Sequence, residues 1–371
     1  MQLMKILIDA SRAVIENAGI ARYTRNICAN LPTQDNKNQY DFLVTFARID
    51  NEKKQQIKNL SRYGKVIVHK IPGKWKEYLW QKKWAKIFFN HWYKNYDALF
   101  APSFFELPQF IKIPSVLVIH DLTTFRFANQ RGQEVSTRLS RVTKSACEKA
   151  NHIIAISAQT KKDLVTFCQL PANQISVILL AAENKFQNKI ILREDFILSV
   201  GTLEPRKNIP TLIKAYSLLP EKIQNKFPLK IVGGTGWNES KIFTTIKKLK
   251  LTNRIDFLGY VSDNDLIQLY NKASVFVYPS LFEGFGLPIL EAMQCGTPVI
   301  TTKVSSLPEV GGDAVAYLDK PRDGQALSRL IQKVLSSKKL QNQMSRAGLI
   351  QARKFSWAKA TSQTTKIINQ L

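Results

Sequence analysis

Two glutamates eight residues apart frame the richest stretch of chemistry in the chain, Glu283-Gly284-Phe285-Gly286-Leu287-Pro288-Ile289-Leu290-Glu291. The apolar run before them is predicted to be a strand ending near Tyr278, and the glycine turn to open a helix with Pro288 in its first turn. Backbone N–H groups at such a turn and helix start suit an anionic ligand group. The spacing lets two carboxylates reach different hydroxyl pairs of one extended ligand. Either acid alone would be read as a partner of the helix dipole or a solvated side chain. Both around one Gly-Phe-Gly turn point to a polyhydroxylated, phosphorylated ligand.

A second constellation, Gly201-Thr202-Leu203-Glu204-Pro205-Arg206-Lys207-Asn208, follows the apolar run Phe196–Val200. Two cations just past the carboxyl end of a strand are placed to neutralise a diphosphate. Taken alone, such a pair is more often a solvated surface. Gly233-Gly234-Thr235-Gly236 follows another strand and suits a phosphate nest, but it lacks the GxGxxG spacing and the P-loop lysine. In the first half, Ile119-His120-Asp121 sits at the end of an apolar run. His120 there either orients a substrate hydroxyl or is a satisfied structural histidine. Asn17-Ala18-Gly19 reads as a flexible turn before a helix, where the chain could approach a ligand closely. Asp263-Asn264-Asp265 spells an Asp-x-Asp, yet Ser262 three residues before Asp265 and an apolar run is better read as a helix capping box than as a metal site. No metal ligand set is assigned.

Stepping outward, short apolar runs at Lys5–Asp9, Phe42–Phe46, Val66–Val68, Ala98–Ala101, Val116–Ile119 and Ile153–Ile156 alternate with helix-permissive sequence. The pattern restarts at Phe196–Val200, Leu229–Val232, Ile255–Leu258, Val275–Tyr278 and Pro298–Thr301. That alternation predicts α/β architecture with parallel sheets. A polar break at Ala182–Asn188 puts a domain boundary near residue 188, dividing the chain into 1–188 and 189–371. Two such halves are expected to face each other across a cleft, where ligands commonly bind. At 371 residues and 44% hydrophobic, the chain is long enough for two ordinary globular cores.

The four cysteines, 28, 147, 168 and 295, form no CxxC pair, which argues against a zinc or disulfide framework and fits a reducing cytoplasm. The apolar triplet Ile6-Leu7-Ile8 is cut off by Asp9 and does not read as a signal peptide. No apolar stretch approaches the ~18 residues of a membrane span.

Charge is the unusual property. Lysine and arginine number 54 against 28 acids, a net +26, which favours anionic partners. The two halves share the excess, but Lys53 to Lys94 holds 12 basic residues and a single acid, Glu77. Within 74–94, a helical wheel places Trp80, Trp84, Ile87 and Phe88 on one face, widened by Trp92, with Lys82, Lys83, Lys86 and Lys94 opposite. Two readings fit, a peripheral contact with an anionic membrane surface and an internal helix packing its aromatics into the first core.

The Glu-x7-Glu segment resembles that of retaining glycosyltransferase family 4 (glycosyl transferases group 1), whose fold is GT-B, two Rossmann-like domains. Ser199 to Asn208 is similar to that family's donor-phosphate loop, and Gly19-Ile20-Ala21-Arg22-Tyr23 to its glycine turn. His120-Asp121-Leu122-Thr123-Thr124-Phe125-Arg126-Phe127 resembles a segment of its mannosyltransferase-like members, and Val304 to Asp313 also matches. The resemblance implies transfer of a hexose, mannose being favoured, from a nucleotide-diphosphate sugar to a glycan or lipid-linked acceptor, with anomeric configuration kept. It implies no cofactor and no metal, GDP-mannose as the favoured donor, and a last helix, about 356–371, returning to the first domain. By motif, Glu291 would bind the donor ribose, and Arg206 with Lys207 the diphosphate. Glu283 and the backbone of Gly284, Phe285, Gly286 and Leu287 would hold the sugar and adjacent phosphate. His120 would contact the sugar, and Gly19 would let its loop approach the diphosphate. His120, Glu283, Arg206 and Lys207 are thus the catalytic candidates, in a front-face reaction where the leaving phosphate takes the acceptor proton. The implied setting is polysaccharide or glycolipid synthesis in the cytoplasm, peripheral to the inner face of the membrane.

Two other classes compete, besides a non-catalytic sugar-binding relative, which the presence of both glutamates and both cations disfavours. A nucleotide-sugar epimerase could share the fold, and release of epimerised donor without acceptor would mark it. A nucleic-acid-binding protein would explain the charge, but no binding module is recognisable, so nucleic acid is not expected as a partner.

Overall fold

The computed structural model describes residues 3–15, 19–80, 91–108, 110–128, 133–189, 191–234, 236, 240–249 and 251–371. The chain divides into two compact units, Met1–Leu180 with Ser356–Leu371, and Ala181–Phe355. The division precedes the boundary expected near residue 188 because Lys185 and Phe186 pack with the second unit. Lys185 pairs with Asp263 at 2.6 Å, and the Phe186 ring meets Tyr270 edge-on at 6.0 Å.

The first unit is built on seven parallel strands: β1 (Lys5–Asp9), β2 (Gln39–Thr45), β3 (Lys65–His69), β4 (Ala98–Ala101), β5 (Ser115–Ile119), β6 (His152–Ala155) and β7 (Ile175–Val177). Their spatial order is β3-β2-β1-β4-β5-β6-β7, so the winding reverses between β1 and β4. Helices on both faces explain why β1 and β5 read as unbroken apolar runs rather than alternating ones. Leu7, Leu99, Leu117, Ile119 and Ile153 are fully buried in its core. Burying each such side chain stabilises the unit by ~1.5–3 kcal/mol.

Gly19 opens the helix Gly19–Gln34, and the chain's last helix, Trp357–Ile368, packs against it. Trp357 lies 5.9 Å from the Tyr23 ring, and Asn38 Nδ2 donates to Asn369 Oδ1 at 2.8 Å.

The second unit holds six parallel strands: β8 (Ile197–Val200), β9 (Leu229–Val232), β10 (Ile255–Gly259), β11 (Val275–Tyr278), β12 (Val299–Thr302) and β13 (Ala316–Leu318). Their order is β10-β9-β8-β11-β12-β13, with Ile197 opposite Val275 where the winding reverses. Leu212, Ile213 and Ile331 from the covering helices meet Leu229, Val275 and Ile300 in one core. Ser262 caps the helix Asp263–Lys272 by accepting the Asp265 N–H at 3.2 Å, and its hydroxyl donates to Asp265 Oδ2 at 2.6 Å, as the capping reading requires.

Two short edge strands, β7 and β13, were not anticipated. Three residues each is too short for an apolar run to stand out. The wheel over 74–94 meets a mixed outcome. Trp84, Ile87, Phe88, Lys82, Lys83 and Lys86 lie outside the described residues. The described part begins with the helix Gly73–Trp80, in which Trp75 is 62% and Tyr78 54% exposed while Lys76 is buried. Trp92, which widens the aromatic face of the wheel, stacks on His69 with centroids 3.9 Å apart and packs against the first core, as the internal-helix reading has it for that ring.

Candidate active site

In a doubly wound sheet, ligands bind beyond the carboxyl ends of the strands where the order reverses. In the second unit that place is flanked by the loops after β8 and β11, the loops that carry the two sequence constellations. Close contacts shape the first loop. The Gly201 N–H donates to the Val232 carbonyl at 2.8 Å and the Leu203 N–H to the Gly234 carbonyl at 3.1 Å. A Cβ on Gly233 would stand 2.1 Å from the Gly201 oxygen, and one on Gly236 would stand 2.2 Å from the Leu203 oxygen. Those two glycines let two loops pack together, a structural need that the phosphate-nest reading did not foresee. Thr235 lies outside the described residues.

Consecutive residues then fasten the β8 loop to the β11 loop. The Arg206 carbonyl accepts the Leu281 N–H at 2.7 Å. Asn208 takes up a left-handed conformation (φ 57°), which asparagine tolerates better than most residues. Its amide donates to the Pro279 and Pro321 carbonyls at 2.9 and 2.6 Å.

Between these loops Glu283 is buried at the centre of a charged cluster. Its Oε1 accepts from Lys207 Nζ at 2.7 Å, from the Tyr278 hydroxyl at 2.8 Å and from Ser280 Oγ at 2.7 Å. Its Oε2 accepts from Arg206 Nη1 at 2.6 Å. Arg206 also pairs with Glu204 at 2.6 Å, and Lys207 donates to the Tyr278 hydroxyl at 2.5 Å. Burial by itself would raise the Glu283 pKa. The Arg206 and Lys207 charges, with hydrogen bonds from Lys207 and Ser280, outweigh it and bring the carboxyl down to about 2. Burial pushes the Lys207 amine below the ordinary lysine range, opposed mainly by Glu283. Burial, followed by the Glu283 charge, holds the Tyr278 phenol well above its usual value.

A third loop, after β12, clamps the turn. The Glu283 N–H donates to Ser305 Oγ at 2.9 Å, and the Ser306 hydroxyl is shared by the Glu283 and Phe285 carbonyls at 2.9 and 2.8 Å. Ser305 has φ 49°, a conformation that costs a non-glycine residue on the order of 1 kcal/mol or more. Gly286 (φ 108°) caps the helix Leu287–Gln294, with proline in its first turn. Phe285 turns its ring inward against Phe355, centroids 6.0 Å apart, so its backbone is the part suited to a ligand. Glu291 is buried on that helix and accepts from the Tyr270 hydroxyl at 3.1 Å.

The structure thus gathers Arg206, Lys207, Glu283 and the Gly284–Leu287 turn, with Glu291 on the helix the turn opens. His120 and Gly19 belong to the first unit. His120 follows β5, donates through Nε2 to the Pro102 carbonyl at 2.9 Å, and meets the Tyr23 ring edge-on at 5.0 Å. Burial lowers its pKa, which favours a neutral ring whose Nδ1 is left as an acceptor. A Cβ at Gly19 would meet no described atom within 4 Å. Glu204, Tyr278, Ser280, Ser305 and Ser306 were not singled out for roles. Their signal was faint, polar side chains at or just beyond strand ends. Among the described residues, no group of three or more acidic, histidine or cysteine side chains could hold a metal, and no helix is long and apolar enough to cross a membrane. All four cysteines are buried free thiols.

Comparison with known proteins places the same segments in known families. Residues 18–180 match Glycosyltransferase Family 4, and residues 181–350 match Glycosyl transferases group 1. The chain is 34% identical to the O-antigen chain mannosyltransferase B of Escherichia coli, over 73% of this chain and 74% of that protein. It is 35% identical to the serotype-specific mannosyltransferase WbdA of Escherichia coli over 57% of this chain, which spans only 28% of that longer protein. Among solved structures, sucrose-phosphate synthase of Thermosynechococcus elongatus covers all of this chain with a TM-score of 0.79 at 21% identity, 99% of that chain being matched. Anabaena HepE in complex with UDP and glucose gives a TM-score of 0.77 at 20% identity, with 99% of this chain and 100% of that one covered. At such identities the likeness is one of fold.

Proposed function

This chain belongs to the group 1, family 4 glycosyltransferases, and from that premise we propose that it transfers mannose from GDP-mannose to a glycan or lipid-linked acceptor, with retention and without a metal. The observation that carries the reading is the buried Glu283–Arg206–Lys207 cluster beside the Gly284–Leu287 turn, at the reversal of the second sheet. The mannosyltransferase relatives support the choice of sugar, and the O-antigen chain named for mannosyltransferase B supports a polysaccharide or glycolipid product.

The chemistry follows from charge. The bond between the anomeric carbon and the leaving phosphate oxygen breaks as the acceptor oxygen bonds to the same carbon on the same face. The acceptor proton passes to the departing phosphate. Negative charge grows on the diphosphate, where fixed positive charge and the N–H groups of the Gly284–Leu287 turn stabilise it without reorganising. With its pKa near 2, Glu283 stays ionised and acts as a hydrogen-bond acceptor for the sugar rather than as a proton donor. Glu291 holds the ribose, and His120, neutral, accepts a sugar hydroxyl through Nδ1. Gly19 lets its loop come close to the diphosphate. The basic segment 74–94 rests on the anionic inner face of a membrane, a reading supported by its charge and by the exposed Trp75 and Tyr78.

A panel of nucleotide sugars tests the reading. Donor at 100 times its Kd should stabilise the protein by about 2.7 kcal/mol. Glu291→Ala should weaken that donor by roughly 10- to 150-fold, the worth of a charge-assisted hydrogen bond. Absence of stabilisation by any nucleoside-diphosphate sugar would reject the assignment. An inverted anomer in the product would reject retention, and free epimerised donor would favour an epimerase.

A further inference from the structure

We propose that the two cations of the cluster divide their work: Lys207 meets the donor diphosphate, whereas Arg206 is a positioning residue that aims Glu283 at the donor sugar and so governs which sugar is accepted. The inference rests on the nucleotide-sugar reading above and refines it.

Arg206 is held at both ends. Its guanidinium pairs with Glu283 through Nη1 and with Glu204 through Nη2, each at 2.6 Å, and Nη1 also reaches the Phe282 carbonyl at 3.4 Å. Its own carbonyl accepts the Leu281 N–H. Guanidinium bonds in a planar fork, and here the fork is committed to two carboxylates on two different loops. Two carboxylates offset its charge before any phosphate arrives, which leaves it little net attraction for one. Lys207 is arranged otherwise. Its ammonium carries three N–H groups and finds two acceptors, Tyr278 and Glu283, leaving one N–H without an acceptor among the described residues. That ammonium is a buried point charge, and its stem runs past Gly201, where an added Cβ would lie 3.2 Å from Lys207 Cε.

Glu283 supplies the link to the sugar. Its Oε1 already accepts three hydrogen bonds, from Lys207, Tyr278 and Ser280. Its Oε2 accepts only from Arg206 among the described residues, and so is the oxygen with capacity for a sugar hydroxyl. Arg206 therefore fixes the direction of a carboxylate oxygen that can read the configuration of a sugar hydroxyl. A site built to bond one hydroxyl rejects a sugar that presents it wrongly, and loses that power when the acceptor drifts.

The experiment compares wild type with Lys207→Met, Arg206→Gln and Glu204→Gln. Calorimetry measures guanosine, GDP and UDP binding, and hydrolysis is followed for GDP-mannose against GDP-glucose and for UDP-glucose against UDP-galactose. Lys207→Met should lose about tenfold or more in affinity for the preferred nucleoside diphosphate. Arg206→Gln should keep that affinity within about threefold, as for a change remote from the ligand, yet compress the kcat/KM ratio between epimeric donors. Glu204→Gln, which removes one charge and keeps the shape, should compress the ratio in the same direction even if Arg206→Gln folds poorly. The inference is overturned if Arg206→Gln weakens the diphosphate as much as Lys207→Met does, or if Arg206→Gln and Glu204→Gln both leave donor preference unchanged. Wild-type protein that binds neither GDP nor UDP rejects the nucleotide-sugar reading, and this inference with it.

Discussion

Lys76 and Asp9, separated by 67 positions in sequence, meet at 2.6 Å at the carboxyl end of β1, with side chains 5% and 0% exposed. Asp9 Oδ1 also accepts the Ser11 N–H at 3.0 Å. Close by, Arg12 pairs with Glu106 at 3.0 Å. The pair pins the helix Gly73–Trp80 to the first sheet where its winding reverses.

Removing one partner of a buried ion pair strands the other, at a cost of ~3–5 kcal/mol. Lys76→Met should therefore destabilise the first unit by about that much, read as a shift of its denaturant transition. Joining it to Asp9→Asn should cost less than the two single changes added, because the stranded charge is gone. An unshifted transition for Lys76→Met would mean that the ammonium is solvated.

How far the sequence revealed all this depends on what each feature required. Parallel strands buried on both faces leave continuous apolar runs, so β1, β5, β8 and β11 were legible, while three-residue edge strands were not. Glu283, Glu291, Arg206 and Lys207 stood out because each constellation follows a strand end at a telling spacing. Their pairing did not, since it depends on the loops after β8, β11 and β12 converging in space. Lys76 was hidden for another reason. In a run holding 12 basic residues, nothing local marks the one that turns inward.

The charge cluster around Glu283 predicts an acid-labile second unit. A carboxyl whose folded pKa is depressed contributes stability that is full above its unfolded pKa, ~4.3, and is lost as pH falls through the folded value, here about 2. Stability should thus decline between about pH 4.5 and 2. Glu283→Gln should flatten that part of the profile, lying below wild type at neutral pH and converging with it in acid. Unfolding free energy measured against pH decides, and parallel profiles would remove Glu283 from the linkage.

Gly286 offers a steric test of the turn. Its φ of 108° is disfavoured for any L side chain, and a Cβ there would lie 2.8 Å from Leu307 Cδ2. Leucine can shift, so the backbone conformation is the larger cost, on the order of 1–3 kcal/mol. Gly286→Ala should lower the melting temperature and weaken nucleoside-diphosphate binding together, because the same residue opens the helix that carries Glu291. A variant that melts and binds like wild type would show that the turn does not hold this geometry.

The helix Gly73–Trp80 carries the last prediction. Trp75 and Tyr78 stand three residues apart, on one helical face, and both are exposed, whereas Lys76 is buried against Asp9. A helix thus pinned to the sheet by a charge presents aromatic rings outward, within a segment from Lys53 to Lys94 that holds 12 basic residues and one acid. Aromatic rings and lysines together suit the headgroup layer, and each lysine near an anionic surface contributes ~1 kcal/mol. Raising salt from 0.1 to 1 M shortens the screening length from about 10 to 3 Å and should strip away most of that attraction. The protein should therefore float with phosphatidylglycerol-containing liposomes at low salt, much less with neutral ones, and poorly with either at high salt. Trp75→Ser with Tyr78→Ser should reduce the low-salt binding while leaving the melting temperature unchanged, since neither ring is buried. Equal failure to bind both kinds of liposome at low salt would reject the membrane contact. Undiminished binding by the double variant would move that contact away from this helix.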